Sequence, residues 1–344
     1  MKEQGLEALL VSDAPNRRYL SGFTGSAGYL LITAEAALIA TDFRYVEQVG
    51  RQAPDFELRQ IGGESTAWLS QVATGLHVKG LAFEADDMTV SQYDKLKDNT
   101  ENLGIKLFPT RRLVETLRQI KEAGEIEFTI QAVTIADEAM DYAAKIIRPG
   151  LSEQALGWEI ECFMRSHGSE TLPFEVIVAA GPNAALPHAH PSDRPIGQGE
   201  PIVIDIGAKV EGYASDLTRT LWIGEPGDEL KKIYNIVLQA QKCAEERITA
   251  GISGHAADLI AREVITQAGY GENFGHGLGH GLGLVTHEDP RLGPNSPDIL
   301  QNNMAFTVEP GIYIPGWGGV RIEDTVIMQN GRVSVLSRAQ KGIS

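Results

Sequence analysis

Between Phe274 and Glu288 the chain reads FGHGLGHGLGLVTHE, with glycine at every second position from Gly275 to Gly283. Each of those glycines would cost a helix about 1 kcal/mol relative to alanine, so extended backbone is expected. Period two then sets His276 and His280 on one side and bare glycine on the other, leaving room for a metal or a substrate to approach closely. Four acidic residues stand on runs that otherwise read as buried strands: Asp205 in IVIDIG, Asp216 at the start of SDLTRTLWIG, Glu309 in AFTVEPG and Glu323 in VRIEDTV. Burying an isolated carboxylate costs several kcal/mol or forces protonation. Arginine partners, structural hydrogen bonds or divalent cations would each relieve that cost. Taken singly, such an aspartate is more often a structural acceptor than a ligand, and a lone histidine a surface or core residue. Two aspartates in one hairpin and two glutamates in another, with a histidine strand between them, weigh toward cations. Four carboxylates and one neutral imidazole balance two dications in formal charge. That donor set suits manganese, cobalt, iron or zinc rather than calcium, which prefers an all-oxygen shell. Two such metals, roughly 3.5–4 Å apart, can share a water and present hydroxide to a carbonyl, which is metal-assisted hydrolysis.

Elements of two kinds must position these residues. A chain of 344 residues fits two well-cored domains, and 42% hydrophobic with 22% charged residues is an ordinary globular composition. Residues 1–112 alternate strand-like runs (LEALLVSD, GYLLIT, AALIAT, KGLAFEAD) with helical ones at Phe43–Gln52 and Ser91–Thr100, giving a small α/β domain. A charged stretch follows, and residues 113–125 are expected as a helical linker. From 126 to 344 the pattern is helix, helix, strands, twice over. Ile126, Ile130, Val133, Met140, Ala144 and Ile147 mark the first long helix, and Ser152 caps a second. Leu230, Ile233, Val237, Ala240 and Ala244 mark a third, and Ala256–Ala268 a fourth. The class is therefore α+β, with a C-terminal domain of two related halves around a shared core.

Charge and composition exclude several functions. A net charge of −16 argues against nucleic acid or an anionic membrane as the main partner and suits a cytoplasmic enzyme. The opening MKEQGLEALLVSDAP has no small-residue cleavage site, so a secretory leader is not expected, and no run approaches the length of a bilayer span. Cys162 and Cys243 lie in helical patterns and read as small buried core residues. The glycine run lacks the lysine and hydroxyl residue of a phosphate loop, His287-Glu288 has no second histidine at helical-zincin spacing, and no serine sits in a nucleophile elbow.

IDIG with Asp205, SDLTRT with Asp216, GHGLGHGLGL with His280, TVEPG with Glu309 and RIED with Glu323 together resemble the pita-bread metallopeptidases. Within that group they look most like the proline-specific enzymes, Xaa-Pro aminopeptidase (aminopeptidase P) and Xaa-Pro dipeptidase (prolidase). The likeness extends to NRRYLSGFTGS at 16–26 and TDFRY at 41–45. It implies a pita-bread catalytic domain with pseudo-twofold halves, and an N-terminal creatinase-like domain that caps the cleft and supplies a homodimer contact. By the same resemblance Asp205, Asp216, His280, Glu309 and Glu323 would hold two divalent ions, with manganese favoured over cobalt or zinc. Glu309 would also shuttle the proton of a bridging water. His188 and His287 would meet the substrate carbonyl, Arg321 would buttress the site, and Phe174 would line the proline pocket. Supporting roles are expected for His276 and His190. Val285-Thr286 depart from the acidic and aliphatic pair usual before the histidine, which bears on the shape of the proline pocket rather than on the metal centre.

Both proline-specific activities use the same ligands. Arg291, just past His287, is placed to hold the free carboxylate of a dipeptide, though many similar aminopeptidases carry one, and its bland reading is a solvated loop residue. The sequence leans to an Xaa-Pro aminopeptidase acting on short peptides with proline second, through attack of a metal-bridging hydroxide. The alternative is a prolidase restricted to dipeptides. A creatinase-type hydrolase or a non-catalytic binding protein would be expected to have lost ligands, and here none is missing.

Overall fold

Apolar runs of strand length and amphipathic runs of helix length separate cleanly in this chain, and the computed structural model folds them accordingly. Residues 6–62 and 68–341 are described. They fall into one compact unit ending at Leu117 and another beginning at Arg118.

The first unit is built on a six-stranded sheet, ordered Glu57–Gln60, Ala37–Thr41, Tyr29–Thr33, Ala8–Val11, Gly80–Glu84 and Lys106–Thr110. Its central strands ALLV, YLLIT and ALIAT are apolar on both faces because the sheet is covered on both, with separate apolar clusters around Leu10 and Leu31 and around Val11 and Ile39. Asp13 caps the helix Ala14–Ser21 by accepting from Asn16 N, and Pro15 sits in its first turn. Glu84 closes this corner. Its Oε2 accepts from Ser12 N at 2.7 Å and Asp13 N at 2.8 Å, and its Oε1 accepts from Asn16 Nδ2 at 2.7 Å.

The second unit repeats one motif. Helices Ala123–Ile146 and Glu153–Ser166 cover a three-stranded sheet of Ile177–Ala180, Ile202–Ile206 and Leu217–Leu221. Helices Asp228–Arg247 and Gly254–Gln267 cover a five-stranded sheet ordered Glu288–Leu292, Gly279–Gly281, Ala305–Val308, Asp324–Gln329 and Arg332–Val335. Ser152 and Ser253 occupy equivalent N-caps, accepting from Ala155 N and Ala256 N. Each half has its own apolar cluster rather than one shared core. The strands that meet between the halves carry buried polar groups: Thr218, Arg219, Thr220, Arg321, Glu323, Asp324 and Thr325. Thr220 Oγ1 donates to Arg321 O at 2.9 Å, and Glu323 N donates to Thr218 O at 3.0 Å.

Three expectations need correction. The helical linker is one turn, Glu115–Arg118, and the next helix starts only at Ala123 because the Lys121 backbone bonds Asn303 O at 2.9 Å instead of helix. Cys162 is exposed and Cys243 half-buried, since both lie off the apolar stripes of their helices. The glycine–histidine run is strand only at Gly279–Gly281.

Burial outweighs the donors at Glu84 and pushes its pKa up to about 7. A carboxyl whose folded pKa exceeds its unfolded value stabilises most below the unfolded pKa and loses that contribution as pH rises through the folded one. From pH 5 to pH 8 the wild type should therefore lose roughly 2–3 kcal/mol of unfolding free energy relative to Glu84→Gln. Chemical denaturation of both proteins across that range checks this, and a pH-independent difference would refute it.

Candidate metal centre

The polar seam brings the acidic residues together. Asp205 pairs with Thr218 across the sheet, and Asp216 directly precedes that partner strand. Glu309 and Glu323 flank the paired residues Val308 and Asp324 of the other sheet. One donor atom from each of Asp216, His280 and Glu323 lies within 4.8 Å of the others. Asp205 and Glu309 share with them the floor of a cavity of about 400 Å³, whose walls include Phe174, His188, His276, His287 and Arg321.

Four carboxylates meet one arginine here. Arg321 Nη2 donates to Asp205 Oδ2 at 2.6 Å, while Asp205 Oδ1 is buried without any hydrogen-bond partner. Glu323 accepts from Thr218 Oγ1 at 2.6 Å and Glu309 from Thr307 Oγ1 at 3.1 Å, both neutral donors. Burial raises the Asp216 pKa well above the ordinary carboxyl value, and Glu323, Asp205 and Glu309 add to it. Burial raises Glu323 in the same way, with Glu309 and Asp205 contributing, and burial also raises Glu309.

The imidazole gives an independent indication. His280 Nδ1 lies 3.1 Å from Gly281 O, and a carbonyl can only accept, so Nδ1 carries the hydrogen. Burial lowers the His280 pKa and keeps the ring neutral. Its Nε2 lone pair then points at Asp216 Oδ2 (3.6 Å) and Glu309 Oε1 (3.4 Å). An Nε2 lone pair beside carboxylates calls for a proton or a cation between them, and a carbonyl accepting from Nδ1 is the usual support of a ligating histidine. The orphan Asp205 oxygen, the surplus negative charge and this tautomer all fit divalent cations.

The remaining expected residues divide. His188 and His287 stand exposed on the cavity wall, and the His280 and His287 rings are 4.3 Å apart. Burial, then the neighbouring His280 and His188, lower the His287 pKa. Phe174 lines the cavity. His276 is tied up structurally: Nδ1 donates to Gly277 O at 2.8 Å, and Nε2 lies 2.9 Å from the Tyr313 hydroxyl. His190 pairs with Glu175 at 3.0 Å on the exposed rim. Arg291 is exposed on a strand opposite His280, not in a loop, and its side chain is not among those lining the cavity.

Tyr313 and Arg219 support the site without belonging to the acidic and histidine motifs. Tyr313 receives Arg321 Nη1 at 2.9 Å and so links Arg321 to His276. Arg219 lay within SDLTRT, where an arginine amid an apolar strand was the available clue. The glycine reading also changes. A Cβ at Gly279 would stand 2.0 Å from Thr307 O, at Gly281 2.0 Å from Asp289 O, and at Gly277 2.7 Å from Leu292 O. Neighbouring backbone lies where a Cβ would stand on these glycines, while Gly277 and Gly279 themselves line the cavity.

Fold and family match are those of a metallo-exopeptidase of the pita-bread type, with a creatinase-like domain before it. The sequence matches metallopeptidase family M24 over residues 127–330 and the creatinase/prolidase N-terminal domain over residues 1–120, and the chain belongs to family M24. It is 36% identical to an Xaa-Pro dipeptidase of Pyrococcus horikoshii, over 99% of this chain and 95% of that protein. Among solved structures it resembles an Xaa-Pro dipeptidase from Bacillus anthracis, with a TM-score of 0.95 and 44% identity over 99% of this chain and 95% of that one. It also resembles an X-Pro aminopeptidase from Thermotoga maritima, with a TM-score of 0.91 and 37% identity over 98% of each. Among the described residues no helix is long and apolar enough to cross a membrane.

Raised carboxyl pKa values mean that the metal-free site opposes folding more strongly as pH rises through them. Removing one charge without changing shape should relieve this. Metal-free Asp216→Asn is expected to be more stable than metal-free wild type at pH 8 by at least about 1 kcal/mol. Adding Mn²⁺ should raise the melting temperature of the wild type only. Calorimetry of both proteins with and without metal decides it, and a destabilised metal-free variant would contradict the charge argument.

Proposed function

We propose that this protein is an Xaa-Pro dipeptidase, hydrolysing the bond between an N-terminal residue and proline with two divalent ions, manganese favoured. The observation that carries the reading is the Asp216–His280–Glu323 donor cluster beside the unpartnered Asp205 oxygen. Full-length likeness to proteins named Xaa-Pro dipeptidase shifts the choice from the aminopeptidase toward the dipeptidase. The Thermotoga maritima X-Pro aminopeptidase keeps the second reading in place. A cytoplasmic homodimer belongs to the same proposal, supported by the family resemblance and the net charge of −16.

Proline in a peptide bond has no N–H, so its tertiary amide gives nothing to clefts that recognise that donor. When bound, two divalent ions supply an activated water near neutral pH and a Lewis acid for the scissile carbonyl. Glu309, oriented by the Thr307 hydroxyl on the cavity floor, is placed to take a proton and return it to the prolyl nitrogen. His287 and His188 are placed to donate N–H hydrogens toward charge developing on the carbonyl oxygen, and the lowered pKa of His287 keeps a neutral imidazole available. Phe174 offers the proline ring an apolar wall. Arg321 fixes Asp205 through one oxygen and leaves the other free.

Metal-depleted protein reloaded with Mn²⁺ and given Gly-Pro or Gly-Pro-Ala separates the readings. Cleavage of Gly-Pro alone is expected; cleavage of the tripeptide would establish the aminopeptidase instead, and no cleavage of either with metal bound would remove both. Asp216→Ala and Glu323→Ala should each lower kcat/KM by about a thousandfold or more and lower bound metal, read by turnover and elemental analysis. Full activity in a metal-free variant would overturn the assignment.

A further inference from the structure

One buried ionic cluster is not used by the chemistry above. Glu288 directly follows His287, and its backbone lies opposite Gly281, the residue after His280. Lys121 Nζ donates to Glu288 Oε1 at 2.5 Å, and Arg118 Nη2 donates to Glu288 Oε2 at 2.5 Å. All three side chains are sequestered, at 1%, 5% and 8% exposure. Lys121 Nζ also donates to Arg118 O at 2.5 Å, and Lys121 N to Asn303 O at 2.9 Å, so the lysine is fixed at both ends.

A buried ion pair is weak evidence for stability, since apolar side chains of similar volume often do as well. Two cations closing on one carboxylate are better suited to fixing geometry. Gly283 supports this: a Cβ there would lie 2.4 Å from Glu288 Oε1 and 3.0 Å from Lys121 Nζ. The turn from Gly283 to His287 therefore wraps closely around the cluster. Gly283 O also accepts from Ala214 N at 2.8 Å, which ties the same turn to the segment leading into Asp216.

We propose that Lys121 and Arg118 are positioning residues that grip Glu288, hold the turn Gly283–His287 in place, and thereby aim the His287 imidazole into the cavity. The catalytic part of this rests on the proposed role of His287; the ordering of the turn does not. Lys121→Met leaves the Arg118–Glu288 ion pair in place, so the buried carboxylate keeps a cation and the protein can fold.

Two measurements test it on the full chain loaded with Mn²⁺. Hydrogen exchange of amides in 283–288 should speed up at least about tenfold in Lys121→Met, with the helices 228–247 and 254–267 unchanged. On Gly-Pro, kcat should fall about tenfold while KM and bound metal stay within about twofold. Gly283→Ala, which pushes on the carboxylate from the other side, should reproduce that split. In a His287→Ala background Lys121→Met should have no further effect on kcat, because its influence passes through the missing ring. Unchanged exchange in the turn, or a full additional loss in that background, would overturn the proposal. Should the wild type cleave no Xaa-Pro substrate, the functional reading falls, and the exchange measurement still decides whether the cluster orders the turn.

Discussion

Uncompensated negative charge buried at the seam between the two halves is the constraint on which this structure depends. Asp205, Asp216, Glu309 and Glu323 converge there with, among the described residues, Arg321 as the one arginine in the cavity lining. The groups that orient the other carboxylates are mostly threonine hydroxyls: Thr218 on Glu323 and Thr307 on Glu309. Thr325 exchanges hydrogen bonds with the Asp216 backbone, at 3.2 Å from Asp216 N and 2.7 Å to Asp216 O. A hydroxyl fixes an oxygen's direction without neutralising it. The seam thus holds its acids in place and leaves their charge for cations, at a cost that burial alone would not repay.

The adjacent residue shows the other outcome. Glu323 and Asp324 are neighbours at the head of one strand, and alternation sends their side chains to opposite faces. Asp324 receives Arg219 Nη2 at 2.7 Å, Lys341 Nζ at 2.5 Å and Gln241 Nε2 at 3.1 Å. Burial opposes its charge, yet Arg219, a hydrogen bond from Glu245 and Lys341 together outweigh burial and hold its pKa down. Arg219 also donates to Glu323 O at 2.5 Å, to Thr218 O at 3.0 Å and to Ala339 O at 2.8 Å. One fully buried guanidinium therefore joins both strands of the seam to the C-terminal segment, directly behind the Glu323 carboxylate. Compensated charge on one face gives the uncompensated face a fixed backbone to stand on.

Much of this was legible from residue order. A carboxylate flanked by isoleucines on an apolar strand is conspicuous because the surrounding pattern forbids it, so Asp205, Asp216, Glu309 and Glu323 could be picked out before any contact was known. Helices with regular apolar spacing, such as Asp228–Arg247, were equally plain. The partners of those acids were not. Tyr313, Thr218 and Lys121 reach their sites from strands and turns up to 167 residues away in sequence, as Lys121 does to Glu288, and hydrophobic period says nothing about such pairings. The linker departs from its expected helix for a related reason. Its charged residues suit a helix, but burying Lys121 against Glu288 requires the chain to leave helical geometry there, and tertiary contact overrides local preference.

The alternating glycines show most clearly how one pattern can serve a different cause. Read in isolation they suggest space for a ligand. In the folded chain the strand Gly279–Gly281 lies between Glu288–Leu292 and Ala305–Val308, so close that a methyl group on either flanking glycine would collide with a carbonyl. His280 is the one side chain this strand projects, and Gly281 O and the Thr307 hydroxyl bond its ring and its backbone. A ring so placed has little freedom to turn away from the carboxylates it faces. By admitting backbone on both sides, the glycines immobilise the imidazole whose Nε2 faces Asp216 and Glu309.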